Sequence, residues 1–305
     1  MNDYLKAKDI LEKGRKASED FSYKSKLQVL KVDIKRTRSD RPYLEMTLGD
    51  ITGKVYKFRK WCENDDDLKR NLKIFQIGNI IEFEGKFQNE YKSTVIKIAR
   101  KLSDDEFEIE EFLPNINDKA EALIKELNDT ISKIKNPFYK RLLESIFNDE
   151  DLKKRYIESP GAVSKHHAYK YGNLEHTIGM IKLAETMEDY YGKDTGLDMD
   201  LVYTGILIHD IGKILEYALV NGLPVMNPRY SMLNHHILGD EIIREKIKQI
   251  EGFPKDLENK LRHIIISHHG KKEWGAEIEP QFPEAQFIHY LDMIDSRYKL
   301  NLIQD

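Results

Sequence analysis

Two kinds of hydrophobic periodicity divide the chain. Between Tyr23 and Leu102, apolar and polar residues alternate in five short segments rich in β-branched and aromatic residues, which predicts five strands. The turn Asp50-Ile51-Thr52-Gly53 separates the second and third segments, and residues 64–75 between the third and fourth have a helical pattern. Five strands with a helix between the third and fourth is the order of an OB-fold, a small β-barrel.

The rest of the chain is helical in pattern. After residue 117 apolar residues recur at a spacing of 3.6, with Pro and Gly interrupting the helices, and an acidic run before Pro114 marks the boundary. We therefore predict a multidomain α and β protein, in which a five-stranded OB-fold β-barrel precedes an all-α domain. The predicted parts are an N-terminal helix (1–21), the OB-fold domain (22–108) and the all-α domain (109–305).

Charge is distributed unevenly along the chain. The net charge is −4, but residues 22–103 carry +8 and the remainder carries −12. A basic segment on an acidic chain is expected where a polyanion docks, although a solvated lysine-rich strand surface would have the same composition. The single cysteine, Cys62, suits a reducing cytoplasm, and we find neither a signal peptide nor a membrane-spanning run. The expected location is cytoplasmic.

All ten histidines lie between His166 and His289. Most occur in short clusters with acidic residues, and imidazole and carboxylate groups are the ligands that suit a divalent transition ion. His209 and Asp210 end an apolar run, and neighbouring helix residues point about 100° apart. A carboxylate also has two oxygens, so Asp210 can bridge two ions. We interpret His263 as a hydrogen-bonded core residue, whereas His236 and His289 are either supporting groups or plain packing.

The ordered set His176, His209-Asp210, His235, His268-His269 and Asp292 resembles the signature of HD-domain phosphohydrolases in their two-metal form. His166-His167-Ala168-Tyr169 followed by Leu174-Glu175-His176-Thr177, downstream of an OB-fold, is similar to the YhaM family of 3′-to-5′ exoribonucleases. This resemblance implies that Asp210 bridges two ions. One ion would be completed by His176, His209 and Asp292, and the other by His235, His268 and His269.

The ligand types also limit the choice of ion. Three-histidine ligation favours Mn²⁺, Fe²⁺, Co²⁺ or a similar ion over Mg²⁺, which prefers oxygen ligands and remains an alternative. Two such ions would activate a hydroxide for attack on phosphorus. Lys213, one turn after His209, can reach the same pocket and neutralise phosphate charge. His167 is a candidate proton donor, and His166 and Tyr169 are candidates to hold the terminal nucleotide.

The predicted barrel has aromatic residues interleaved with lysines, as OB-folds that bind single strands do. Half of such aromatic residues normally fill the barrel core. The candidates for binding substrate are Tyr43, Tyr56, Phe58, Trp61 and Tyr91, with Lys57 and Lys60.

The sequence thus predicts a metal-dependent 3′-to-5′ exonuclease that acts on single-stranded nucleic acid and releases 5′-mononucleotides. RNA is favoured by the family resemblance, and single-stranded DNA remains open. Relatives suggest a homo-oligomer. One alternative is an HD-domain hydrolase of nucleotides or cyclic dinucleotides with a regulatory OB-fold. Another is a non-catalytic single-strand-binding protein.

Overall fold

The computed structural model describes residues 4–113, 116–163, 167–191 and 196–303, with side chains described up to residue 297. Pro114 and His166 lie outside the described residues. The chain divides into two compact units. Unit 1 contains residues 1–115 and 220–223, and unit 2 contains residues 116–219 and 224–305.

Unit 1 contains the five strands that the alternating pattern predicts. Their inward-facing apolar residues form one core, which includes Leu27, Leu44 and Phe83. Strand β1 begins before the predicted segment, because residues 21–28 pair with β4. The strands are β1 (Phe21–Arg36), β2 (Pro42–Asp50), β3 (Gly53–Trp61), β4 (Ile80–Gln88) and β5 (Ser93–Lys101).

The five-stranded sheet closes on itself. The strand order is β1-β2-β3-β5-β4, and β1 pairs antiparallel with both β2 and β4 to complete a closed barrel. Strands β3 and β5 run parallel, and only Phe58 and Arg59 pair there, with Thr94 and Val95. Closure leaves few unpaired strand edges. The turn predicted between β2 and β3 is confirmed, since β2 ends at Asp50 and β3 begins at Gly53.

Two helices accompany the strands. Helix α2 (Asp65–Ile74) begins where the side chain of Asn64 accepts a hydrogen bond from the amide of Asp67, as an N-cap residue does. Helix α1 (Ala7–Lys16) is shorter than the predicted helix. Its first amides donate to the Asp50 carboxylate (3.0 Å) and the Thr52 hydroxyl (3.0 Å). The turn between β2 and β3 therefore fixes the start of α1.

Unit 2 is a helical domain with one apolar core, to which Leu142, Ile206 and Ile264 contribute. None of the helices that the structure describes is long and apolar enough to cross a membrane. The helices are α3 (Asn117–Lys133), α4 (Pro137–Phe147), α5 (Glu150–Glu158), α6 (Gly172–Tyr191), α7 (Met199–Ile208), α8 (Lys213–Glu216), α9 (His235–Lys248), α10 (Lys255–Ser267) and α11 (Pro283–Ile303).

One described hairpin interrupts the helices, and its tip, residues 220–223, belongs to unit 1 rather than to unit 2. Strands β6 (Tyr217–Val220) and β7 (Leu223–Met226) form a hairpin around Asn221 and Gly222. Both turn residues have positive φ, as a two-residue hairpin turn requires. The sequence pattern indicates only a helix break at this position.

Candidate metal centre

Asp210 lies at the centre of the histidine clusters. Its two carboxylate oxygens face different groups of imidazoles. Oδ2 is 3.2 Å from Nε2 of His209 and 3.8 Å from Nε2 of His176, whereas Oδ1 is 3.5 Å from Nε2 of both His235 and His268. One carboxylate thus faces two sets of ligand atoms.

The first set of ligand atoms is completed by Asp292 on α11. Its Oδ1 is 3.3 Å from Nε2 of His176, and the ligand atoms of His176, His209 and Asp292 all lie within 4.8 Å of one another. These three residues come from α6, from the end of α7 and from α11. The structure therefore brings together side chains that are more than 110 positions apart in the sequence.

The second set contains four histidines. The ligand atoms of His235, His236, His268 and His269 lie within 4.8 Å of one another. His235 and His236 begin α9, and His268 and His269 follow the end of α10. From the sequence, His236 could be either a supporting group or a residue that only packs.

Unpartnered ligand atoms distinguish this cluster from an ordinary buried polar network. Buried nitrogens and oxygens nearly always have hydrogen-bond partners, because desolvating them without one is costly. Here several buried atoms make no hydrogen bond to any residue that the structure describes. They are Nε2 of His209, His235 and His268, both ring nitrogens of His236, Nδ1 of His269, and Oδ1 of Asp210. A divalent cation is the partner that such a set of donors fits.

Backbone carbonyls fix the orientation of two of the imidazoles. Nδ1 of His209 lies 2.7 Å from the carbonyl of Ile206, and Nδ1 of His268 lies 2.8 Å from the carbonyl of Ile265. Nδ1 must be the donor in both contacts, since a carbonyl only accepts. The neutral ring therefore presents the lone pair of Nε2 to Asp210, which is the form that a metal ligand needs.

Carboxylates orient two further imidazoles. Nδ1 of His235 donates to Glu216 over 2.8 Å, and Nδ1 of His176 donates to Asp295 over 2.7 Å. Sequence reasoning missed Glu216. Asp295 lies one turn after Asp292 on α11, and the structure shows its contact with His176. A carboxylate behind a ligating imidazole is a common feature of metal sites.

Burial and charge displace several pKa values. Burial opposes the charged forms, but Asp292 and Asp295 outweigh it at His176 and raise its pKa to about 9. Burial lowers the pKa of His269 to about 2 and also lowers that of His268. Lys213 and the neighbouring imidazoles overcome the burial of Asp210 and hold its pKa well below the ordinary range. Asp210 is therefore an anion, and His268 and His269 are neutral, as metal ligands must be. His176 is protonated near pH 7 without metal and must lose that proton when a metal binds.

Replacing Asp295 by alanine is expected to lower metal affinity by about 10–100-fold, because Nε2 of His176 loses its orientation. Asparagine keeps an acceptor oxygen and should recover part of that loss. Metal content measured by plasma mass spectrometry checks both variants. Glu284→Gln on the same helix is the control, since Glu284 accepts from the amide of Asp198. Full metal affinity in Asp295→Ala would contradict this role.

Close packing explains why Asp295 sits where it does. A Cβ atom on Gly179 of α6 would lie 2.3 Å from Oδ1 of Asp295. Only glycine allows the carboxylate to approach α6 this closely. Nε2 of His167 also contacts Asp295, at 2.9 Å. Asp295 thus joins the ring of His167 to the ring of His176.

Three further predicted residues of unit 2, unlike His166, lie among the described residues. Lys213 is buried, and its Nζ lies 2.5 Å from Oδ2 of Asp210. His167 is buried between Asp295 and Glu175 at a positive φ, and the buried Tyr169 donates its hydroxyl to Glu175. Catalytic roles for Lys213 and His167, and a substrate contact of Tyr169, stay predictions.

Two histidines are accounted for by hydrogen bonds. Nε2 of His263 accepts from the amide of Gln281 (3.1 Å), and Nδ1 of His289 donates to the carbonyl of His268 (2.7 Å). His263 is thus hydrogen-bonded, as interpreted from the sequence. His289 supports the loop that carries His268 and His269.

The predicted substrate residues of unit 1 differ in how far they are exposed to solvent. Tyr56 and Tyr91 are exposed, and so is Lys57, whereas Tyr43 and Trp61 pack together with ring centroids 4.7 Å apart. Lys60 donates to the carbonyl of Lys97. The prediction that Phe58 contacts substrate is wrong. Phe58 is fully buried in the barrel core, where it packs edge-on against Phe83.

A family model and one similar protein point to the same chemistry. Residues 173–297 match the family model of the HD domain. The 3′-5′ exoribonuclease YhaM of Oceanobacillus iheyensis is 29% identical over 276 residues, which cover 88% of this chain and 81% of that protein. The resemblance that the motifs indicate is thereby confirmed. The crystal structure of the HD domain of the phosphodiesterase PgpH from L. monocytogenes is 22% identical, with a TM-score of 0.29, over 54% of this chain and 74% of that chain.

Proposed function

We propose that this HD-domain protein is a metal-dependent 3′-to-5′ exonuclease that releases 5′-mononucleotides from single-stranded nucleic acid, with RNA favoured. The observation that most directly supports this proposal is the set of buried, unpartnered ligand atoms around Asp210. Similarity to an exoribonuclease over most of the chain supports the substrate class and the direction. Cys62 is a free thiol, which suits a cytoplasmic enzyme.

We assign two divalent ions to the centre. His176, His209 and Asp292 would hold one, His235, His268 and His269 would hold the other, and Asp210 would contribute one oxygen to each. To this sequence-based assignment we add His236 as a further ligand on the second side. Because imidazoles dominate, Mn²⁺ or Fe²⁺ fits better than Mg²⁺. When bound, such ions polarise a phosphodiester and acidify water.

The chain's own residues prepare the site for an anionic substrate. The carbonyls of Ile206 and Ile265 hold the protons of His209 and His268 on Nδ1, which keeps each Nε2 available. Nζ of Lys213 supplies a buried positive charge beside Asp210. Such a charge can stabilise the extra negative charge that develops on a phosphoryl group during hydrolysis.

We assign the barrel of unit 1 to the OB-fold class and to strand binding. The supporting features are the strand order with α2 between β3 and β4, the exposed Tyr56 and Tyr91, and the basic composition of residues 22–103. Exposed aromatic rings stack on bases, and neighbouring cations contact the phosphates. Self-association, expected from relatives, is part of the same proposal.

A labelled-strand assay tests the function. A 5′-labelled single-stranded RNA incubated with Mn²⁺-loaded protein should give a ladder of products shortened from the 3′ end, together with 5′-mononucleotides. Chelator should abolish the ladder. Parallel reactions with DNA, and with Fe²⁺ or Mg²⁺, establish substrate and metal preference. Turnover of free or cyclic nucleotides with no shortening of strands would instead indicate a nucleotide hydrolase, and binding alone would exclude an enzyme.

A further inference from the structure

A cavity on unit 1 lies between helix α1 and the barrel. Its volume is about 480 Å³, within the range of small-ligand sites. Ile10 and Leu11 of α1 form one wall, and Val55 and Phe87 of the barrel form the other. Because Asp50 and Thr52 hold the start of α1, this helix is fixed beside β3. The cavity is thus built by the tertiary structure and has an apolar interior.

Gly14 of helix α1 lies directly against the ring of Phe87, which belongs to the barrel core. A Cβ atom at this position would lie 3.0 Å from the ring of Phe87. Phe87 is buried and stacks on Phe21, with ring centroids 5.0 Å apart. The cavity therefore has a flat, aromatic and well-supported side, which suits a planar ligand group.

Cations line the opening of the cavity, and none of the described residues that line it is acidic. Arg15, Lys57 and Lys92 are exposed lining residues. Within the described part of the chain, Arg15 and Lys57 form no ion pair, whereas Lys92 donates to Asn89. Three cations around an apolar interior select an anion that carries an apolar group.

The backbone is strained where two of these cations are attached. Lys57 has a φ of 63° and Lys92 a φ of 46°, which is costly for residues other than glycine. Lys57 lies in a bulge, because the pairing of β2 with β3 shifts between Met46 and Leu48. Bulges re-aim side chains and are common beside binding sites. Lys57 is thus turned out of regular strand geometry, whereas Lys92 lies in the turn before β5, and both residues line the cavity.

A buried hydroxyl adds an independent sign of a ligand. Ser93 is 1% exposed and lines the cavity, and its Oγ has no hydrogen-bond partner among the described residues. The neighbouring hydroxyl of Thr94 is paired with Tyr23 at 2.7 Å. Buried hydroxyls are normally paired. Ser93 is therefore free to donate to, or accept from, a polar group of a ligand.

We propose that this cavity is a nucleotide-binding site, in which the base enters the apolar interior and the phosphate contacts Arg15, Lys57 and Lys92. Tyr56 at the opening offers a second aromatic surface. The inference rests on the proposed function, because it supplies the barrel with its place of strand binding. The nucleotide belongs either to a strand or to a free mononucleotide, and the two sources are separable by experiment.

Fluorescence anisotropy of a labelled ten-nucleotide RNA with chelator-treated, full-length protein measures binding without hydrolysis. Leu11→Trp fills the cavity and should weaken binding by on the order of tenfold. The double variant Lys57→Asn, Lys92→Asn removes two positive charges, and asparagine tolerates the positive φ at both positions. This variant should also weaken binding and lower the salt slope of log affinity by up to about 0.7, the contribution of one phosphate contact on a single strand.

Lys101→Asn is the matched control, because Lys101 is exposed on β5 and does not line the cavity. Its affinity should stay within about twofold of the original. If AMP displaces the labelled RNA from the original protein but not from Leu11→Trp, the occupant is a free mononucleotide. If AMP displaces the RNA only weakly from the original protein, the occupant is a strand. If Leu11→Trp and the double lysine variant bind the labelled RNA and AMP as tightly as the original protein does, the proposed binding site is wrong.

Hydrolysis distinguishes failure of this site from failure of the proposed function. If the original protein shortens RNA while the cavity variants bind RNA normally, the cavity proposal fails and the nuclease stands. If the original protein binds RNA through the cavity but never shortens it, the nuclease fails and the binding site stands.

Discussion

Replacing Asp210 by alanine is expected to remove both metal ions and to lower strand hydrolysis by on the order of 10³-fold or more. Among the residues that the structure describes, Asp210 is the one whose two oxygens face both sets of histidines. Two-ion catalysis contributes several kcal/mol to transition-state stabilisation, and each 1.36 kcal/mol corresponds to tenfold in rate. Metal content by plasma mass spectrometry and the labelled-strand assay measure the two effects.

Two controls accompany the Asp210 variant. RNA affinity, measured by anisotropy, should stay within about threefold, since we assign strand binding to unit 1. Asp240→Ala removes a carboxylate of unit 2 that pairs with Arg262 at 2.6 Å, outside the centre. It should keep both ions and full activity. Two bound ions and normal hydrolysis in Asp210→Ala, with circular dichroism showing a folded chain, would refute the two-ion assignment.

Local patterns were sufficient to predict most of unit 1. The strands alternate clearly because each has one face in the barrel core, and Asn64 gives α2 a recognisable start. The length of α1 was not predictable, because its start is fixed by Asp50 and Thr52, which lie more than 40 residues away. The burial of Phe58 was equally inaccessible, since bulges change which residues of a strand face inward.

The ligand types of the metal centre were predictable because histidines and aspartates occur in compact clusters. Their supporting partners were not. Glu216 precedes a hairpin that brings it to His235, and Asp295 reaches His176 only because Gly179 leaves room. Such contacts depend on how elements pack. A pattern within a single helix contains no signal for them.

Replacing His236 by leucine should raise the melting temperature of the metal-free protein and lower that of the metal-loaded protein. Both ring nitrogens of His236 are buried without a hydrogen-bond partner among the described residues, unlike His235, whose Nδ1 donates to Glu216. An unpartnered buried polar group costs about 1–3 kcal/mol. Leucine removes that cost, so the chelated variant should melt several degrees above the chelated original protein.

With Mn²⁺ the same variant should lose stability relative to the original. A ligand that binds the native state stabilises it by about 2.7 kcal/mol at 100 times its dissociation constant. Without His236 that gain should shrink, bound metal should fall from two ions per chain toward one, and hydrolysis should fall by at least about 100-fold. Calorimetry in chelator and in Mn²⁺, with metal analysis, measures each change.

His263→Leu is the matched control, because Nε2 of His263 already accepts a hydrogen bond from Gln281. Its loss should lower the melting temperature equally with and without metal, and should leave the metal content at two ions. If His236 only packs against its neighbours, His236→Leu will behave in the same way as this control. The crossed pattern, a gain in chelator and a loss in Mn²⁺, is expected only of a side chain that the metal completes.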